Sequence, residues 1–198
     1  VRDVDQTTIK DIIVGYPTSS GGSLLKNILN KKVFDYPKPL ELIEFLLSQK
    51  FHKNALVLDF MAGSGTTGHA VLKLNKEDGG DRKFILCTNN ENDICEKVTY
   101  ERLKRVSQGY KNKNNEKVKG LGGNLKYLKT DFIKIDPSID DLKEKIVDVS
   151  AQIICLKEST FKENHIQEKI KIFENKNQYT AILFDTFYLD DFIKQLNK

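Results

Sequence analysis

The residues best suited to do chemistry form one string, LVLDFMAGSGTTGHAV, at positions 56–71. Asp59 stands at the end of a predicted strand. Gly63 and Gly65 follow, and because neither carries a Cβ they let the backbone turn sharply and a ligand approach closely. The next helix begins at Thr66, so its free N–H groups point into the crevice at the strand end. This order of residues predicts a site for a nucleotide-like ligand.

The glycine spacing of this string also occurs in dinucleotide enzymes. Gly63, Gly65 and Gly68 satisfy the G-x-G-x-x-G pattern, so a nucleotide-binding oxidoreductase is an alternative. Against it, an acid precedes the turn on its own strand, and the strand KFILCT runs into NNEND rather than ending at a lone acid. A phosphate loop is excluded because no Gly-Lys-Ser/Thr follows. A generic tight turn accounts for the full string less well.

The elements around this string predict an α/β fold. Residues 55–60 and 83–88 are short apolar runs of the kind that forms parallel strands buried on both faces. A helix is expected after each of them, the second from Asp93 to about Ser107. Before the first strand, LELIEFLLSQK predicts a helix behind Pro39. Strand, glycine turn, helix, strand and helix together are typical of a Rossmann-like sheet.

The rest of the chain predicts a flexible basic loop at 111–124 and a strand at 125–135. Asp136 and Pro137 suit a helix start, and a helical apolar stripe follows, formed by Ile139, Leu142, Ile146, Val149, Ile153 and Leu156. Two strands, 170–175 and 179–185, and a closing helix at 188–196 complete a small α+β C-terminal extension.

The string DFMAGSGTTGHAV resembles motif I of the amino-methylating DNA methyltransferases, whose usual form is D-x-F-x-G-S-G-T-T. The preceding FDYPKPLELIEFLL resembles motif X of that family, in the expected frame at Phe34, Pro37, Lys38, Pro39 and Leu42. The segment after motif I and the string ERLKRV at 101–106 resemble type III modification (Mod) subunits. The resemblance extends over about residues 15–135, and three motifs in register make it specific.

The resemblance implies a Rossmann-like methyltransferase core that binds S-adenosylmethionine. Asp59 would lie near the amino group of the cofactor, and Lys38, beside Pro39, would reach its carboxylate. After the second strand the family uses an acid or amide to hold the ribose; here Asn89, Asn90 and Glu91 all remain candidates. The methionine part would be wrapped by Phe60, Ala62, Gly63, Ser64, Gly65, Thr66 and Thr67.

Motif X stands directly before motif I, as in the beta arrangement of the family, which places the catalytic D-P-P-Y motif earlier in the chain. Neither Asp35-Tyr36-Pro37 nor Asp136-Pro137-Ser138-Ile139 matches that motif, so the core is expected to be incomplete and no catalytic residue is assigned. We therefore expect an irregular lead-in at 1–36 from a missing N-terminal catalytic and target-recognition part. The cofactor-binding subdomain would span 37–135 and the C-terminal unit 136–198.

The implied parent enzyme transfers a methyl group from S-adenosylmethionine to a flipped adenine in double-stranded DNA, within a restriction-modification system. This chain alone is expected to be inactive. A cytosine-N4 methyltransferase fragment and a degenerate, non-catalytic DNA-binding or assembly subunit are the alternatives. A restriction subunit and a second copy of the chain are the further expected partners.

Composition restricts the function only weakly. The formal net charge of +4 permits nucleic-acid binding without requiring it. Cys87, Cys95 and Cys155 have no metal-ligand spacing and predict reduced, buried thiols in a cytoplasmic protein, and the family resemblance implies a bacterial one. His69 falls in the helix after the glycines and is expected to line the core. No apolar run is long enough to span a membrane.

Overall fold

The computed structural model describes residues 13–50, 52–132, 139–175 and 177–197. The chain divides into two compact units, Val1–Tyr127 and Leu128–Lys198, and each is described by itself.

The first unit opens with helix α1 (Thr18–Leu29), where the sequence predicted an irregular lead-in. That prediction is wrong for these residues. The turn-forming residues become the start of a helix, because both the backbone N–H and the hydroxyl of Ser20 donate to the carbonyl of Pro17. Leu25 and Ile28 are buried along one side of α1. Burial of this stripe outweighs the weak helix propensity of Gly and Ser.

A strand–turn–helix–strand unit follows, as predicted. Helix α2 (Leu40–Lys50) precedes it, and the unit comprises strand β1 (Leu56–Asp59), helix α3 (Thr66–Asp78) and strand β2 (Lys83–Leu86). The two strands pair in parallel, with Leu56 opposite Lys83 and Asp59 opposite Leu86. Among the described residues this sheet has two strands, so a complete Rossmann-like sheet is still a proposal.

The two faces of this sheet differ in how far their side chains are buried. Val57 is buried on one face, in a cluster with α2 and α3 residues. Leu56 and Leu58 point to the other face, since side chains alternate along a strand, and each is 61% exposed. Ile85, which pairs with Leu58, is also exposed. The prediction that both faces are buried is therefore wrong here: the apolar sequence is present, but the second face has no cover among the described residues.

The helix predicted from Asp93 to Ser107 is confirmed over most of its length, but its start is irregular, because Asp93 has a left-handed φ of +59°. A 3₁₀ turn (Glu91–Asp93) and a π-helical segment (Ile94–Tyr100) continue into helix α4 (Glu101–Gln108). Residues of this helix, of α1 and of α3 form a buried cluster, made of Leu25, Ile28, Leu29, Leu72, Val98, Leu103 and Val106.

The next segment differs from prediction in two places. The expected flexible loop contains an antiparallel hairpin, β3 (Gly109–Lys111) with β4 (Lys117–Lys119). The expected strand at 125–135 is wrong for residues 125–132, which form neither helix nor strand, while 133–135 lie outside the described residues. The aromatic side chain of Tyr127 packs on the ring of Tyr100 instead of entering a sheet.

The second unit has the predicted helix, two predicted strands and closing helix, and one strand that the sequence did not reveal. Helix α5 (Ile139–Glu158) precedes an antiparallel sheet of β5 (Lys162–Ile166), β6 (Ile170–Glu174) and β7 (Tyr179–Leu183), in that order, and α6 (Leu189–Leu196) ends the unit. Strand β5 was missed because its residues, KENHI, are mostly polar. Asp136 and Pro137 lie outside the described residues.

Helix α5 buries a different face from the predicted one. Val149 and Ile153 of the predicted stripe are 47% and 68% exposed. Ala151 and Cys155 are buried instead, against Phe173 of β6. The apolar period was recognised correctly, but the small residues pack on the sheet because they allow the helix to approach closely.

None of the three cysteines forms a disulfide, and only one of them is buried as predicted. Cys155 is buried, Cys95 is half-buried and Cys87 is exposed. Cys87 was expected inside because it continues an apolar strand, but it lies one residue beyond the end of β2. None of the helices in the described part of the chain has the length and apolar character needed to cross a membrane.

Candidate functional site

Asp59 joins the end of strand β1 to the start of helix α3. It is half-buried, and its Oδ2 accepts a hydrogen bond from the Thr67 hydroxyl at 2.6 Å, while its Oδ1 accepts the N–H of Met61 at 3.1 Å. The carboxylate thus fixes both ends of the intervening turn. Each oxygen keeps a further lone pair, so Asp59 is able to accept another hydrogen bond from an ammonium group of a ligand.

The turn between β1 and α3, residues 60–65, is called the glycine turn. Gly63 and Gly65 have φ of +49° and +74°, which glycine adopts without the strain that a side chain would cause. The N–H of Ala62 donates to the carbonyl of Cys87 at 3.0 Å, so the turn is attached to the chain beyond β2. Helix α3 therefore begins at the carboxyl edge of the parallel pair, where ligands of α/β sheets bind.

The segment Pro37–Pro39 lies against the start of α3. Both prolines are buried, whereas the side chain of Lys38 is exposed. The carbonyl of Lys38 accepts a long hydrogen bond of 3.5 Å from the Thr66 hydroxyl. On the other side, a Cβ added to Gly21 of α1 would lie only 2.3 Å from the Pro37 carbonyl oxygen. Helices α1 and α3 thus hold this segment between them.

Arg102 is part of this site, although the sequence assigned it no role. It is wholly buried in the first turn of α4. Its Nη1 donates to the carbonyl and the hydroxyl of Ser64, both at 3.2 Å, and to the Thr66 hydroxyl at 2.8 Å. Its Nη2 donates to Nδ1 of His69 at 3.3 Å. One guanidinium therefore connects the glycine turn to the first turn of α3.

A signal for Arg102 was present in the sequence. Val98, Arg102 and Val106 are spaced by four, so the arginine falls on the buried face of its helix. A second contact comes from the same segment, because the Thr99 hydroxyl donates to the carbonyl of Gly63. Only the folded structure shows what these buried polar groups bind.

His69 lines the core, as predicted, and is uncharged. Burial, together with the positive charges of Arg102 and Lys73, lowers the pKa of His69 from 6.5 to about 3. Arginine has only donors, so Nδ1 of His69 accepts and the ring proton is on Nε2. A neutral ring allows Arg102 and His69 to be adjacent in the core without charge repulsion.

The three ribose candidates follow β2 at the same edge and are exposed. The side-chain oxygen of Asn90 accepts the N–H groups of Cys95 and Glu96, at 3.1 and 3.2 Å. Asn90 therefore begins the next helical segment, and its carbonyl oxygen is already engaged. Asn89 and Glu91 lie on either side of it.

The donors and surfaces at the glycine turn fit the methionine part of S-adenosylmethionine. Gly65 occupies the cap position of α3 and offers no side-chain acceptor, so the first N–H groups of the helix have no capping side chain. Such N–H groups favour a carboxylate. Phe60 and Met61 are 72% and 81% exposed beside the turn, which leaves apolar surface for a ligand. Asp59 supplies the acceptor for an amino group.

Comparison with known proteins supports the resemblance to DNA methyltransferases. Residues 13–101 match the family described as DNA methylase. The chain is 42% identical over 92 residues to the type III restriction-modification enzyme StyLTI Mod subunit of Salmonella typhimurium, and 49% identical over 76 residues to the EcoPI Mod subunit of Escherichia phage P1. It is 48% identical over 66 residues to the type II methyltransferase M.KpnI of Klebsiella pneumoniae.

These matches cover 44%, 38% and 33% of this chain, but only 14%, 12% and 16% of the respective relatives. The chain thus corresponds to a small part of each relative. The predicted resemblance to DNA methyltransferases, and to Mod subunits in particular, is confirmed over the matched residues.

Proposed function

We propose that this chain is the S-adenosylmethionine-binding part of a DNA adenine methyltransferase of a restriction-modification system. The observation that carries the proposal is the glycine turn at the end of β1, held by Asp59 on one side and joined through Thr66 to the Lys38 segment on the other. The similarity of residues 13–101 to DNA methylases supports the same conclusion.

Different site residues bind different groups of the cofactor. The uncapped N–H groups of α3 and the amino group of Lys38 bind the carboxylate, and Asp59 accepts a hydrogen bond from the cofactor's ammonium group. Asn89 and Glu91 are the preferred ribose ligands, because the oxygen of Asn90 is engaged elsewhere. S-adenosylmethionine supplies the methyl group, and this chain holds and orients it toward a flipped adenine.

In this proposal the catalytic motif lies in a part of the enzyme other than this chain. The open face of the sheet supports this part of the proposal. A parallel sheet is normally covered on both faces. Leu56, Leu58 and Ile85 form an apolar surface that the described residues leave exposed. The missing catalytic part covers it in the whole enzyme, so this chain alone is inactive. Double-stranded DNA, a restriction subunit and a second copy are the proposed partners of that enzyme.

Titration calorimetry of the chain with S-adenosylmethionine tests the proposal. We expect saturable binding that Asp59→Ala weakens by about tenfold, because the substitution removes a charge-assisted contact worth about 1.5 kcal/mol and loosens the turn. Asp81→Ala is the matched control. It removes an exposed carboxylate from the turn after α3 and is expected to bind like the unmodified chain.

NADH is the competing ligand in the same experiment. Binding of NADH in place of S-adenosylmethionine would support the oxidoreductase alternative and overturn the proposal. Circular dichroism of both variants establishes that a loss of binding does not come from loss of helix.

A further inference from the structure

Arg102 carries a buried positive charge that has no acidic partner among the described residues. Its side chain is 0% exposed, and among the described residues no carboxylate contributes to its electrostatic environment. Its hydrogen-bond partners are two hydroxyls, a carbonyl and a neutral imidazole. Its Nε has no partner within the described structure. Burial lowers the pKa of Arg102 to about 10, so the group is still a cation at neutral pH.

Such a charge is costly in the folded chain. A buried ion that lacks a counter-charge destabilises the native state. A neutral donor would satisfy the same oxygen atoms of Ser64 and Thr66, so hydrogen bonding alone gives no reason for an arginine. The cation also lies beside the first turn of α3, where the helix dipole is already positive. Both features favour a bound anionic group at the glycine turn.

Arg102 also acts at a distance through Thr66. The Thr66 hydroxyl receives a hydrogen bond from Arg102 at 2.8 Å and is 3.5 Å from the carbonyl of Lys38. Moving the guanidinium would therefore change both the glycine turn and the segment that carries Lys38. One buried side chain controls the two parts of the site that face a ligand carboxylate.

We propose that Arg102 is a positioning residue that makes the site selective for a ligand with a carboxylate at its methionine end. It holds Ser64 and Thr66 in the binding geometry, and its charge offsets that of the carboxylate. The inference rests on the proposed function, because the ligand is S-adenosylmethionine. It adds a residue that does not touch the ligand.

The test compares two ligands on the full 198-residue chain. S-adenosylhomocysteine contains the amino-acid end, whereas 5′-methylthioadenosine lacks it and keeps the adenosine. We expect Arg102→Met to weaken S-adenosylhomocysteine binding at least tenfold and to leave methylthioadenosine binding within about twofold. Arg102→Lys, which keeps the charge, is expected to restore part of the difference. A general loss of structure would weaken both ligands equally.

Arg105→Met is the matched control on the same helix. Arg105 donates to Glu101 and to the carbonyl of Ile28, away from the glycine turn, so its loss is expected to lower stability while the ratio of the two affinities stays the same. Equal weakening of both ligands by Arg102→Met, or no weakening, would overturn the inference while leaving the proposed function intact. Failure of the unmodified chain to bind either ligand would overturn both.

Discussion

Gly21 and Gly22 are adjacent in helix α1, yet replacing each with alanine is expected to have opposite effects. A Cβ on Gly21 would lie 2.3 Å from the carbonyl oxygen of Pro37 and 2.7 Å from that of Lys38. A Cβ on Gly22 would meet nothing within 4 Å. Both glycines have ordinary helical conformations, so the two substitutions differ only in what surrounds the added methyl group.

The magnitude follows from these distances. A carbon–oxygen contact normally needs roughly 3.3 Å, so Gly21→Ala must push the Pro37 backbone away by about 1 Å. Overpacking costs about 1–3 kcal/mol, and the upper end applies because a backbone carbonyl cannot rotate aside. Replacing glycine with alanine inside a helix stabilises the helix by up to about 1 kcal/mol. We expect Gly21→Ala to be destabilised by about 2 kcal/mol and Gly22→Ala to be stabilised by up to about 1 kcal/mol.

Urea unfolding followed by circular dichroism measures this difference of about 3 kcal/mol. Affinity for S-adenosylmethionine provides a second readout, because the displaced segment carries Lys38. Only Gly21→Ala should bind more weakly. If Gly21→Ala were as stable as Gly22→Ala, the close approach of α1 to the Pro37–Pro39 segment would be refuted, and with it the assignment of α1 to the site.

His69 makes stability depend on pH. Burial holds the pKa of His69 near 3 in the folded chain, below the value of 6.5 in the unfolded chain. Between these two pH values the unfolded state therefore binds one more proton than the folded state. The free energy of unfolding consequently falls as the pH decreases from 6.5 toward 3, by up to about 1.4 kcal/mol per pH unit. The unfolding midpoint, measured across this range, should change less with pH for His69→Gln than for the unmodified chain. An equal pH dependence in the two proteins would contradict a neutral, buried His69. The open sheet face should bind an apolar dye, so Leu56→Lys with Leu58→Lys is expected to reduce the fluorescence of bound anilinonaphthalene sulfonate. Phe132→Lys, which removes a single exposed ring, is the control, and equal fluorescence in all three proteins would argue against an apolar surface at β1.

The sequence predicted the local structure of the site well. The apolar run before Asp59, the glycines and the following helix all have signatures within a few residues, and the structure confirms the unit they form. Lys38 and the glycine turn were expected at one site, and the hydrogen bond between Thr66 and the Lys38 carbonyl brings their segments together. Such features are predictable because backbone conformation depends mainly on neighbouring residues.

Long-range packing produced the differences. Helix α1 was missed because Gly and Ser are typical of turns, and only burial of its leucine and isoleucine stripe makes the segment helical. In α5 the larger apolar residues are exposed while Ala151 and Cys155 face the sheet. The sequence shows that a helix has an apolar period, but not which of two candidate faces meets a partner.

The sequence by itself determined the strand–turn–helix unit, the acid at the end of the strand and the spacing of the motifs, because each follows from side-chain chemistry and local backbone preference. Tertiary structure alone decided that α1 fits closely against Pro37. Within the described part of the chain, it also decided that Arg102 lies beneath the glycine turn without a counter-ion and that one face of the sheet is open. These properties depend on which distant residues approach within a few ångströms, and burial and electrostatics act through that proximity.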